Sequence, residues 1–126
     1  MKMVIGGAYQ GQLQWAKEHY TDITWIDGSI CPLEEVFSCQ GIYDFHLLIQ
    51  RMLQNDRDLS AKAFADRLTQ ENPELIIVSN EIGYGLVPID AFDRAWREVT
   101  GRVCTELVTF SDEVTRVVMG IGKRIK

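Results

Sequence analysis

No apolar run in this chain of 126 residues is long enough to cross a bilayer, so no membrane partner is expected. The start, Met1-Lys2-Met3-Val4-Ile5, runs straight into Gly6-Gly7 without the longer apolar stretch and cleavage site of a secretory signal. A cytoplasmic protein is therefore expected. Basic residues are short as well. The net charge is −5, whereas a general nucleic-acid binder needs a basic face, so no nucleic-acid partner is expected. The basic tail from Gly122 to Lys126 reads as a solvated terminus. There are three cysteines, Cys31, Cys39 and Cys104, an odd number with no CxxC pair. Neither a disulfide framework nor a zinc site follows, and reduced structural thiols are expected. Only two histidines are present, His19 and His46, which leaves little material for a histidine nucleophile.

What remains is ordinary globular composition, 46% hydrophobic and 25% charged, in a length that suits a single domain over 1–126. Residues 2–5 read as a buried strand, 11–20 as a helix and 23–27 as a β-branched, aromatic strand stopped by Gly28. A short helix is expected near 32–38, broken by Gly41. Helices are expected at about 43–54 and 59–71, the first with Phe45, Leu48, Ile49, Met52 and Leu53 at helical spacing. No strand carrying an acid is read between residues 28 and 73. The continuous apolar run at 74–79 predicts a strand covered on both faces.

Pro88 is expected to open the longest helix, to about 110, with Ile89, Phe92, Trp96, Val99, Val103, Leu107 and Phe110 as one stripe. Asp90–Arg94, Asp93–Arg97 and Glu98–Arg102 are spaced to pair on its other face. A strand at 113–119 turns at Gly120-Ile121-Gly122 into a short edge strand. The order β-α-β-α-α-α-β-α-β-β implies an α/β sheet, mostly parallel, with helices on both faces and a C-terminal edge hairpin.

Gly6-Gly7-Ala8-Tyr9-Gln10-Gly11-Gln12-Leu13 lies between the first strand and the first helix, with the outer glycines at P-loop spacing. A phosphate loop needs backbone amides converging at a helix N-terminus, a lysine after the last glycine, and then a serine or threonine for magnesium. Gln12 stands where the lysine belongs and Leu13 where the hydroxyl belongs. Glutamine donates a hydrogen bond without charge, and leucine cannot ligate a metal. Two readings stay open for this segment alone: a weakened phosphate loop, or a tight β–α turn that binds nothing.

Other segments narrow the choice. Val78-Ser79-Asn80-Glu81-Ile82-Gly83-Tyr84-Gly85-Leu86-Val87-Pro88, Thr100-Gly101-Arg102-Val103, Asp112-Glu113-Val114 and Val117-Val118-Met119-Gly120-Ile121-Gly122 occur in that order, after Ile5-Gly6-Gly7-Ala8. Together they resemble the adenosylcobinamide kinase/adenosylcobinamide-phosphate guanylyltransferase family of cobalamin biosynthesis, over roughly 1–11 and 75–126. The resemblance implies a P-loop-NTPase-like α/β fold, a purine nucleotide (GTP or ATP), a corrinoid as second substrate and a homo-oligomer. It places a nucleotide site on Gly6, Gly7, Ala8, Tyr9, Gln10, Gly11, Gln12, Asn80, Gly83 and Gly85. It also makes Glu81 the acid expected beside a metal, with a loop-capping carboxylate as the plain alternative.

The family's paired-histidine segment is absent, and the middle of the chain is shorter. His46 is therefore either a structural histidine or a nucleophile outside the family pattern. Asp27, at the end of the second strand, is a further candidate for metal binding without family warrant. Mg2+ has no ligand in the loop. Two functions remain: a nucleotide-using enzyme of this family with reduced phosphoryl transfer, or a non-catalytic nucleotide-binding, regulatory or oligomeric protein on the same fold.

Overall fold

The computed structural model describes residues 1–83 and 85–126; Tyr84, inside the loop read as ligand-bearing, lies outside the described residues. Six strands form one sheet: β1 (Lys2–Gly6), β2 (Trp25–Asp27), β3 (Gly41–Tyr43), β4 (Ile76–Asn80), β5 (Glu113–Val118) and β6 (Ile121–Arg124). Their order across the sheet is β2-β3-β4-β1-β5-β6, and only β6 runs antiparallel to its neighbour. The helices are α1 (Gln12–His19), α2 (Phe45–Asn55), α3 (Ala61–Glu71) and α4 (Ala91–Phe110), with a 3-10 turn at Leu33–Phe37. This is the mostly parallel, P-loop-like α/β arrangement with a C-terminal edge hairpin that the element order implies.

Alternation along the strands splits the core in two. Met3, Ile42, Ile77 and Val114 join Phe45, Leu48, Phe64, Leu68, Val103 and Leu107 under α2, α3 and α4. Val4, Val78 and Val117 face the other way and meet Ala16 of α1. β4 is covered on both faces, with Ile76 through Ser79 all buried, as its unbroken apolar run requires.

Three expectations need correction. The first is β3, a strand where none was read. Gly41 does not break a helix. It opens β3 with no side chain because a Cβ there would lie 2.7 Å from the Trp25 ring. The second is the start of α4 at Ala91 instead of Pro88. Asp90 Oδ1 caps it, accepting from the N–H groups of Phe92 and Asp93. The third follows from that cap. Of the three spaced pairs on α4, Glu98–Arg102 closes at 2.7 Å. Asp90 is committed to the cap, and Arg94 and Arg97 turn back to the carbonyls of Pro88, Ile89 and Leu86. The apolar stripe holds in the middle, where Val103 and Leu107 are buried, while Ile89 before the helix is 97% exposed and Phe110 at its end 45%.

Candidate functional site

The carboxyl ends of β1, β3 and β4 point to one edge of the sheet, where open α/β folds bind ligands. At that edge a cleft of about 380 Å³ is lined by the glycine loop, the start of α1, the ends of β3 and β4, and the start of α2.

The glycine loop leaves β1 at Gly6, where a Cβ would meet the Val117 carbonyl oxygen at 2.7 Å. Only glycine allows β1 and β5 to lie so close there. The loop ends at Gly11, whose left-handed φ of 86° turns the chain into α1. Gln12, the first residue of α1, is buried. Its Nε2 donates to Asn80 Oδ1 at 2.7 Å, to Gly7 O at 3.0 Å and to Gly6 O at 3.3 Å. The carboxamide has two N–H groups for these three acceptors, so its donors are spent inside the loop. Gln10 fixes the outer side: its Oε1 accepts from Met119 N–H at 2.8 Å, and its carbonyl accepts from Gly120 N–H. Tyr9, at the tip, is fully exposed. Leu13 lines the cleft with an apolar side chain.

On the opposite wall, Asp44 follows β3 in a left-handed conformation with φ 51°, a conformation few non-glycine residues adopt. It begins α2 without using its side chain as a cap, and the residue lines the cleft. His46, the second residue of α2, is buried and lines the same cleft. Its Nδ1 lies 3.2 Å from Asn80 N–H, which leaves Nδ1 the acceptor and places the proton of the neutral ring on Nε2. Burial pushes the His46 pKa below its ordinary value of 6.5, opposed by the Asp44 charge, so the ring is neutral at pH 7. Trp96 braces this region through an Nε1–H bond of 2.8 Å to the His46 carbonyl. Tyr43 also lines the cleft. Its pKa is raised by burial first, then by the Asp27 and Asp44 charges.

The structure thus brings together Ala8, Tyr9, Gly11, Gln12, Asn80 and His46 on one cleft. Gly6, Gly7 and Gln10 support that loop from outside the lining. Glu81 stands elsewhere. Its N–H bonds to Gly6 O at 2.7 Å, while its carboxylate crosses to Arg116 of β5 at 3.1 Å, away from the cleft. Asp27 Oδ1 accepts from the Ser29 N–H and hydroxyl and closes the turn after β2. Gly83 and Gly85 lie in the next loop with φ 110° and 87°, and neither lines the cleft. Sequence reading missed Asp44 and Tyr43. The available signal was the run Gly41-Ile42-Tyr43-Asp44 before an amphipathic helix, a strand of three residues ending at an acid.

The site suits one kind of chemistry and not another. His46 has no free basic nitrogen: Nδ1 is taken by Asn80 and Nε2 carries the proton. In this tautomer the ring presents an N–H donor at Nε2. A magnesium–triphosphate pair needs a cation and an oxygen ligand in the loop. Gln12 is neutral and already bonded, Leu13 offers no oxygen, and no lysine or arginine lines the cleft among the described residues. The residues present do not fit that pair.

Comparison with known proteins names the lineage. The family model for cobinamide kinase / cobinamide phosphate guanyltransferase matches residues 35–125, more than half of the chain. The bifunctional adenosylcobalamin biosynthesis protein CobU of Salmonella typhimurium (strain LT2) is 43% identical over 53 residues, covering 42% of this chain and 29% of that protein. The protein of the same name from Escherichia coli (strain K12) is 42% identical over 53 residues, with the same coverage. The match therefore spans under a third of the length of these relatives. The fold, the cleft at the carboxyl edge and the extent of the family match agree: the chain belongs to the cobinamide kinase / cobinamide phosphate guanyltransferase family.

Proposed function

We propose that this chain is a purine-nucleotide-binding member of the family whose phosphoryl-transfer chemistry is reduced or lost. The observation that carries the reading is Gln12, buried at the position of the loop lysine with its donors spent on Gly6, Gly7 and Asn80. Transfer of a phosphoryl group demands positive charge on the nucleotide as the transition state forms. A neutral, internally bonded carboxamide supplies none. The guanylyl half of the family's chemistry calls for a histidine nucleophile, and His46 is held in the wrong tautomer for that role.

GTP or ATP is then bound weakly and with little dependence on Mg2+. A corrinoid remains the second ligand that kinship suggests, and a homo-oligomer the assembly. The protein acts as a nucleotide-responsive component of cobalamin biosynthesis in the cytoplasm, as one folded unit over 1–126. The two curated relatives carry the name adenosylcobalamin biosynthesis protein, which supports the pathway.

The test is calorimetric titration with GTP and ATP, with and without magnesium, on the wild type and on the double variant Gln12→Lys, Leu13→Thr. A charged hydrogen bond contributes about 1.5–3 kcal/mol, so the double variant gains roughly ten- to a hundredfold in affinity. Its binding also becomes magnesium-dependent. Tight, magnesium-dependent binding by the wild type would contradict the reading.

A further inference from the structure

A second cavity, of about 500 Å³, shares no lining residue with the cleft. It opens where the 3-10 turn, the last turn of α2 and the start of α3 meet. Its apolar wall is Leu33, Phe37, Met52, Leu59 and Phe64, with the Phe37 and Phe64 rings edge to face at 5.9 Å. The two rings are buried, while Leu33, Met52 and Leu59 are half-buried. A concavity of this size with an aromatic floor is of the kind that holds small organic molecules.

Charge on the rim says what kind of molecule. Three carboxylates line the cavity, on Glu34, Asp56 and Asp58, against one guanidinium, on Arg67. Arg67 is already committed. It lies 3.7 Å from the centre of the Phe37 ring and bonds Glu34 and Glu71. Asp56 and Asp58 have no basic partner within 4.0 Å among the described residues. Arg57, between them in sequence, is turned to the Phe92 ring, 4.6 Å from its centre, and does not line the cavity. Asp56 Oδ1 accepts from the Asp58 N–H at 3.0 Å, which holds the two acids on one turn. The rim therefore attracts a positive charge and repels a nucleotide or any other anion, and the aromatic floor suits a flat apolar ring.

We propose that this cavity is a binding site for a small organic cation, its flat apolar body against Phe37, Phe64 and Met52 and its ammonium group between Asp56 and Asp58. The site does not rest on the nucleotide reading. The helix α2 connects the two openings: His46, its second residue, lines the cleft, and Met52 and Asn55, in its last turn, line this cavity.

The experiment is NMR titration of the full-length chain at low salt with tryptamine, tryptophol and indole-3-acetate, one ring system carrying a positive, no or a negative charge. Saturable shifts are expected at Phe37, Met52, Leu59 and Ala63 and not at the cleft. Tryptamine is expected to bind about fivefold more tightly than tryptophol, as two exposed ion pairs allow, and indole-3-acetate least tightly. The gap between tryptamine and tryptophol should close in about 1 M salt, where charges are screened within roughly 3 Å. Asp56→Asn with Asp58→Asn should bring tryptamine down to the affinity of tryptophol, since the amide keeps the oxygen that the Asp58 N–H uses. Ala63 is exposed on α3 and lines the cavity, so Ala63→Phe should fold and block all three compounds. Equal affinity for the three overturns the inference, as does a preference for indole-3-acetate, a lack of saturable binding, or shifts centred on Ala8 and Asn80. A double aspartate variant that keeps the full advantage of tryptamine would overturn it too.

Discussion

Two loops leave the same edge of the sheet side by side, and they treat their polar groups in opposite ways. The loop after β1 turns its glutamines inward. Gln12 bonds the loop carbonyls and Asn80, and Gln10 bonds the turn between β5 and β6. The loop after β4 is held from outside, by Arg94 and Arg97 of α4 reaching to the carbonyls of Pro88, Ile89 and Leu86. Its side chains Leu86, Val87 and Ile89 are left 95%, 73% and 97% exposed. The first loop is locked around the buried Gln12 side chain by buried and half-buried hydrogen bonds that resist loss. The second is tied by exposed ones that contribute little. The contrast teaches that two neighbouring loops at one sheet edge are fixed by different means, the first by its own side chains and the second by those of α4.

The contrast is sharpest at glycine. Gly6→Ala places a Cβ 2.7 Å from the Val117 carbonyl oxygen, so urea denaturation should show a loss of about 3 kcal/mol. Gly85→Ala meets nothing within 4 Å and suffers only its φ of 87°. It should lose about 1 kcal/mol, and a larger loss than at Gly6 would break the comparison. Between these falls Gln12→Ala, which strands Asn80 Oδ1 and two carbonyls and should cost about 2 kcal/mol in the same assay.

His46 gives the first wall a pH signature. Its pKa is lowered in the folded chain by burial. The unfolded chain therefore binds the proton more readily as pH falls. The stability it contributes is complete above the ordinary value of 6.5 and is lost as pH falls through the lowered folded value. Denaturation midpoints from pH 8 to 5 should drop more for the wild type than for His46→Gln, and equal slopes would remove His46 from the account. The smallest effect belongs to Arg97→Ala. It should change stability by under about 0.5 kcal/mol while speeding proteolysis near Leu86.

Much of this was legible in the sequence. The apolar run at 74–79 gave a strand covered on both faces, and Gly6 to Gly11 gave the loop between β1 and α1. The closeness of that loop to Asn80 followed from two strands ending at one sheet edge. What could not be read was β3. Three residues carry too little periodicity to show a strand, and Gly41 looks like a helix breaker until Trp25 is seen against it. Asp44 and Tyr43 were missed along with β3, since their place depends on that strand. The direction of Glu81 also escaped. An acid after a buried strand has a choice of partners, and Arg116, across β1 on β5, is a contact made by the sheet and not by the motif. On α4, charge spacing suggested three pairs, but the cap at Asp90 competed for one of them and three loop carbonyls drew off the two arginines.

The central claim is that Gln12 fills the lysine's place and keeps its donors within the loop. The most direct measurement is 15N NMR of the Gln12 side-chain amide during titration with GTP and magnesium. The account predicts that the Gln12 Nε2 resonances stay put and exchange slowly with solvent at every nucleotide concentration, while the backbone amides of Ala8 to Gly11 shift. Large shifts of the Gln12 side chain, tracking those of the loop amides and requiring magnesium, would show the carboxamide leaving Asn80 for the phosphates and would contradict it.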